Sequence, residues 1–159
     1  MKIPADLKHK PVIVSEDYDR IDGRNSNSDA KGLSLGLAQW NERGKVDISA
    51  KVWRHTGEKW SRQSEELPLH RVLDLAILIV RAKKIFRERY HLNEKDYPNY
   101  PSLDRIGLQG GAMNVSVCED NQYLDGDMDL FEAALVKDDE IISERLKVLD
   151  RLLVDLKSK

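Results

Sequence analysis

Between Lys45 and Arg62 the chain sets cations and indoles at a spacing that could hold a polyanion. Asp47, Ser49, Lys51 and Trp53 alternate with Val46, Ile48, Ala50 and Val52, and a period of two sends the two sets to opposite faces of a strand. One face then suits a core. The other places a hydroxyl, an ammonium and an indole side by side. Lys45, Arg54, Lys59 and Arg62 lie nearby, together with Trp40 and Trp60. Cations pair with phosphates, and exposed indoles stack on unpaired bases. The expected contacts of a single-stranded DNA or RNA are therefore Lys51, Arg54, Lys59 and Arg62 on phosphates and Trp53 on a base. The competing account is that tryptophans anchor cores and that a basic strand face is simply solvated.

Catalytic groupings are sparser. Asp125, Asp127 and Asp129 alternate beside Glu119 and Asp120, a set that a metal-dependent hydrolase could use, but the later ligand of a calcium loop is missing. Glu16, Asp17, Asp19 and Asp22 form a second acidic run whose spacing matches no calcium loop. His9, His55, His70 and His91 are dispersed, and His70 reads as a first-turn surface residue of a helix. The chain has no HExxH pair, nucleophile elbow or Walker loop, and Gly107, Gly110 and Gly111 lack dinucleotide-loop spacing. Cys118 is the single cysteine, which excludes an internal disulfide or a thiolate cage. Within an alternating run it is expected to be a buried small residue. These features predict a protein that is not an enzyme and carries no cofactor or resident metal.

A length of 159 residues suits one domain, or one domain with a sizeable appendage. The net charge of −2 conceals an asymmetry: residues 31–90 carry thirteen basic and seven acidic side chains, and residues 91–159 carry eight and fifteen. A positive middle can steer a polyanion, while an acidic tail can repel one or cover the same site. The longest apolar run, Leu75 to Val80, has six residues, against roughly 18 for a membrane span. The N-terminus has no apolar signal core, so a cytoplasmic location is expected.

The elements that must position these residues follow from periodicity and punctuation. Lys10 to Val14 predicts a short strand, followed by a polar loop with a turn at Asp22-Gly23. Leu33 to Leu37, Val46 to Trp53 and Lys59 to Arg62 predict an antiparallel meander, turned by Asn41–Gly44 and by His55–Glu58. From Pro68 the period becomes helical: Leu69, Val72, Leu73, Ala76, Ile77 and Val80 define a stripe that Leu75, Leu78 and Ile79 widen. Such a helix, Leu69 to Tyr90, has to be buried on several sides, by the second half of the chain or by another subunit. Residues 93–107 read as a connector and Met113, Val115 and Val117 as a strand. Helical spacing returns from Leu130 to Leu135 and from Ile141 to Leu156. The fold class is therefore α+β: an antiparallel curved sheet followed by a buried helix, with an additional C-terminal helical region. Residues 1–90 form the core with the binding face, and residues 91–159 an acidic, mostly helical extension.

The segment AQWNERGKVDISAKVWRHTGEKWSRQSEELPLHRVLDLAILI, within residues 33–90, resembles the single-strand DNA-binding domain of the positive-cofactor-four family of transcriptional coactivators. That resemblance implies a curved sheet that holds single-stranded nucleic acid, and a homodimer paired through the helix. GKVDISAKVW stands where that family has an alternating strand ending in an aromatic, and Leu67-Pro68-Leu69 where its last strand meets the helix. Lys51, Trp53, Lys59 and Arg62 carry over as contacts. Two departures are Gln63-Ser64-Glu65-Glu66, acidic where that family is basic and glycine-rich, and the acidic residues 91–159. The whole chain is also similar to a family of short uncharacterised bacterial proteins, from which no activity follows. The alternative function is a homo-oligomeric interaction or assembly protein without catalysis, paired through the Leu69–Tyr90 helix. A hydrolase at Asp125, Asp127 and Asp129 ranks below both.

Overall fold

The computed structural model describes residues 1–22, 28–91, 104–118 and 120–158. The Asp22-Gly23 turn, Glu119 and most of the predicted connector lie outside the described residues. The architecture is α+β. Strands β1 (Lys10–Glu16), β2 (Ala30–Leu37), β3 (Ile48–Arg54) and β4 (Glu66–Pro68) form one antiparallel sheet in the order β1-β2-β3-β4. Helix α1 (Leu69–His91) starts directly at the end of β4, where Pro68 closes the extended run and the period switches. A hairpin of β5 (Asp104–Leu108) and β6 (Gly111–Val115) follows, then α2 (Leu124–Lys137) and α3 (Asp139–Lys157). Two compact units divide within α1, Met1–Ile77 and Leu78–Lys159, whereas the sequence placed its boundary after residue 90.

Register fixes which residues share a face. Leu35 opposes both Ile13 and Ala50, and Ser34 opposes both Val14 and Lys51, while Glu66 on β4 opposes Lys51. Directly paired residues point the same way. One face of the sheet therefore carries Ile13, Leu33, Leu35, Leu37, Ile48, Ala50 and Val52. The other carries Ser34, Ser49, Lys51, Trp53 and Glu66.

Two expectations change here. Lys59 to Arg62 is not the fourth strand: His55 and Trp60 form an isolated bridge at the end of β3, and β4 is the later segment Glu66–Pro68. The Gln63-Ser64-Glu65-Glu66 run, polar and without alternation, thus leads into an edge strand. Cys118 is exposed rather than buried, because β6 ends at Val115 and the alternation beyond it has no sheet to face.

In the second unit, Phe86 of α1 stacks on Phe131 of α2 at 5.2 Å between ring centroids. Lys83 binds Asp139 and lies 3.1 Å from the Ser143 hydroxyl, both on α3. Asp139 and Glu140 occupy the first turn of α3, where the helix dipole favours negative charge.

Candidate functional site

The alternation in β3 is as the sequence predicts, but its faces are reversed. Ser49, Lys51 and Trp53 are buried, Trp53 to 2% exposure, whereas Ile48 is 55% exposed. The face expected to meet nucleic acid lies inside the unit. The cause is distant in sequence. The N-terminal segment brings His9, itself fully buried, onto this face. Alternate positions of β2 are all small, Ala30, Gly32, Ser34 and Gly36, with Ala38 just beyond, which leaves room for it. A Cβ at Gly32 would press on the Ile3 side chain, and one at Gly36 would collide with the Lys10 carbonyl.

The polar groups of this face satisfy one another. The Trp53 indole N–H donates to Ser34 Oγ at 2.8 Å, and Ser34 Oγ lies 2.9 Å from His9 Nε2. On the other side of the ring, His9 Nδ1 lies 3.1 Å from Glu66 Oε1 and 3.2 Å from Ser49 Oγ. Glu66 Oε1 also accepts from the Ser49 hydroxyl at 2.7 Å and from the Gln39 amide at 2.9 Å. An indole can only donate and an ionised carboxylate can only accept. With a neutral imidazole, the chain of donors must then run Trp53 to Ser34 to His9 to Glu66, which puts the ring proton on Nδ1. Glu66 Oε2 is buried without a hydrogen bond among the described residues and faces the Lys51 ammonium at 3.8 Å. That ammonium also sits 4.3 Å from the centroid of the Trp53 ring, a cation–π distance.

Ser34, His9 and Glu66 have the connectivity of nucleophile, base and orienting acid. A nucleophile needs an open approach, however, and Ser34 is buried. A groove of about 670 Å³ lies nearby, lined among others by Trp40, Asp47, Ile48, Glu66, Pro68 and His70, so that Glu66 reaches it but Ser34 and His9 do not. What this constellation does chemically is lock the N-terminal segment, β2, β3 and β4 together.

The other predicted contacts separate. Arg54 is held by Glu65 and Asp29, each 2.5 Å from its guanidinium. The hydrogen bonds to Glu65, and then those to Asp29, push its pKa up despite partial desolvation. Lys59 and Arg62 are exposed. Trp60 is half-buried, edge-on to Trp53 at 5.9 Å and to His55 at 5.1 Å. Trp40 is 37% exposed and donates its N–H to Asp47 at 2.9 Å. Asp125 and Asp127 occupy the first turn of α2, where helical geometry spreads positions 125, 127 and 129 around the axis instead of aligning them. Among the described residues no three His, Cys, Asp or Glu side chains are grouped to hold a metal. Sequence reasoning missed His9 and Glu66; the run of alternating small residues in β2 was the signal for a covering segment.

The fold and site define a two-unit α+β protein whose four-stranded sheet is closed on its polar face and open on its apolar one. Among the described residues no helix is long and apolar enough to cross a membrane. The chain belongs to a family of unknown function, DUF6530, which matches residues 1–158. The match is to this family, and the expected resemblance of residues 33–90 to the positive-cofactor-four coactivators is not shown. No curated protein and no solved structure matches the chain.

Proposed function

We propose that this is a cytoplasmic assembly protein that acts by pairing with a second copy of itself, with α1 as the pairing surface. The observation that carries this is the state of that helix. Val72, Leu73, Leu75, Leu78, Ile79 and Val80 are each 38–61% exposed. A helix apolar on most of its circumference has to be buried, and obligate interfaces resemble a divided core. Covering a half-exposed aliphatic side chain contributes about 1 kcal/mol. Six from each copy give roughly 10 kcal/mol, comparable with the roughly 4–15 kcal/mol lost on association. Ile13, Leu35, Leu37 and Ile48 on the open sheet face are also exposed and add to the surface available. Light scattering on the full chain at 100 µM is expected to give the mass of a dimer. Leu75→Glu with Ile79→Glu is expected to give a monomer of unchanged helix content. A strictly monomeric wild type overturns the proposal.

Single-stranded nucleic acid is the second reading, and it rests on exposed Lys59 and Arg62 beside half-buried Trp60. Two phosphate contacts predict a log–log salt slope of about −1.4 for a single strand, abolished by Lys59→Ala with Arg62→Ala. Titration of a labelled oligonucleotide of about twenty nucleotides, long enough to span a single-strand site, measures it. No binding to that oligonucleotide at low salt removes this reading.

A further inference from the structure

Ile142, Leu146, Leu149, Leu153 and Leu156 recur along α3 at alternating spacings of four and three. That is the seam of a coiled coil, with Leu146 and Leu153 at a and Ile142, Leu149 and Leu156 at d. Lys83 holds the start of α3 through Asp139 and Ser143. No residue of the helix is buried, however. Leu149, Leu152, Leu153, Val154 and Leu156 are all exposed, Leu156 to 74%. In proteins a helix draws most of its stability from packing its apolar face rather than from propensity, so a seam left open over its last two turns needs an occupant.

The residues flanking the seam say which. Arg145 and Leu152 fall at g, and Ser143, Asp150 and Lys157 at e. In a parallel, in-register pair, a g residue meets the e residue five positions on in the other helix. Arg145 then faces Asp150 of the second copy, twice by symmetry, and Leu152 covers the stem of Lys157. Antiparallel pairing sets e against e and brings the two Asp150 carboxylates together. Charge therefore selects one orientation.

We propose that α3 pairs, parallel and in register, with α3 of a second copy. The proposal rests on the self-association inferred above but not on α1 being its surface. Two heptads are fewer than the three or four that hold a coiled coil alone, so the pairing adds to a larger interface.

The experiment is oxidative cross-linking of the full chain carrying Leu156→Cys and Cys118→Ser. Parallel pairing brings the two 156 positions within disulfide reach. Antiparallel pairing sets residue 156 against residue 146, ten positions away, and so separates the two 156 positions by about 15 Å. Leu156→Cys is expected to give a disulfide-linked dimer and Arg151→Cys, on the outer face, none. Asp150→Arg is expected to weaken the dimer about fivefold, two ion pairs at roughly 0.5 kcal/mol each, and Arg145→Asp added to it restores the dimer. A dimer by light scattering in which Leu156→Cys does not cross-link overturns the α3 proposal and leaves self-association standing. Cross-linking in a dimer insensitive to Leu75→Glu with Ile79→Glu supports α3 and overturns α1 as the surface. A strict monomer overturns both.

Discussion

Trp53→Ala lowers the free energy of unfolding by about 3–5 kcal/mol, the range for deleting a large buried aromatic. Trp53 is 2% exposed, so its removal leaves a cavity bounded by groups with no reason to move. His9 loses an edge contact at 5.8 Å and Trp60 one at 5.9 Å. Ser34 loses the N–H it accepts at 2.8 Å, and Lys51 loses the ring beneath its ammonium. With total stabilities of roughly 5–15 kcal/mol typical of single domains, the variant approaches the threshold of folding. Urea denaturation followed by circular dichroism measures the loss. Trp53→Phe retains the ring but not the N–H and falls between the two. Trp40→Ala, at a partly exposed indole, costs about 1 kcal/mol or less. Equal small effects at Trp40 and Trp53 would mean that Trp53 faces solvent, which was the expectation from sequence.

That expectation failed for a definable reason. A period of two identifies a strand and sorts its side chains into two sets, and β3 has both properties. It does not say which set is inside, since alternation is symmetrical. Hydrophobicity decides the matter only when the polar set lacks partners. Here the partners are His9, forty residues from Ser49, and Glu66, seventeen from it, and no local pattern displays them. The two acids that depart from the coactivator pattern, Glu65 and Glu66, are the ones that neutralise Arg54 and Lys51. Features set by local spacing were legible. The switch to helix at Pro68 falls between β4 and α1, and the apolar repeats from Leu130 and from Ile141 fall within α2 and α3. Cys118 and the Lys59 to Arg62 segment were misplaced because a strand exists only where a neighbouring strand completes it. The candidate site was thus visible as residue types and hidden as a place.

Glu66→Ala is the second large effect, about 3–5 kcal/mol, because it removes one partner of a buried pair and strands the other. The Lys51 ammonium is left nine-tenths buried without its counter-charge. The Ser49 hydroxyl, the Gln39 amide and His9 Nδ1 all lose their shared acceptor. Glu66→Gln keeps an acceptor but turns an amide toward Lys51, and serves to isolate the charge. Burial works against ionisation of Glu66, but the hydrogen bonds from Ser49, the Gln39 amide and His9 together outweigh it and hold its pKa below the ordinary 4.5. A carboxylate with a lower pKa folded than unfolded contributes stability that is fully present above the unfolded value and fades as pH falls through the folded one. The share of the stability difference between wild type and Glu66→Gln that the Glu66 charge contributes therefore shrinks as pH falls below about 4.5. Glu65, Asp19 and Asp139 are held low by their own cations, so wild type alone would not separate their share; the difference does. Paired urea titrations of the two proteins at pH 7 and pH 3.5 measure it. A difference that persists undiminished at pH 3.5 would mean that the Glu66 charge is not what ties His9, Ser49 and Lys51 to the sheet.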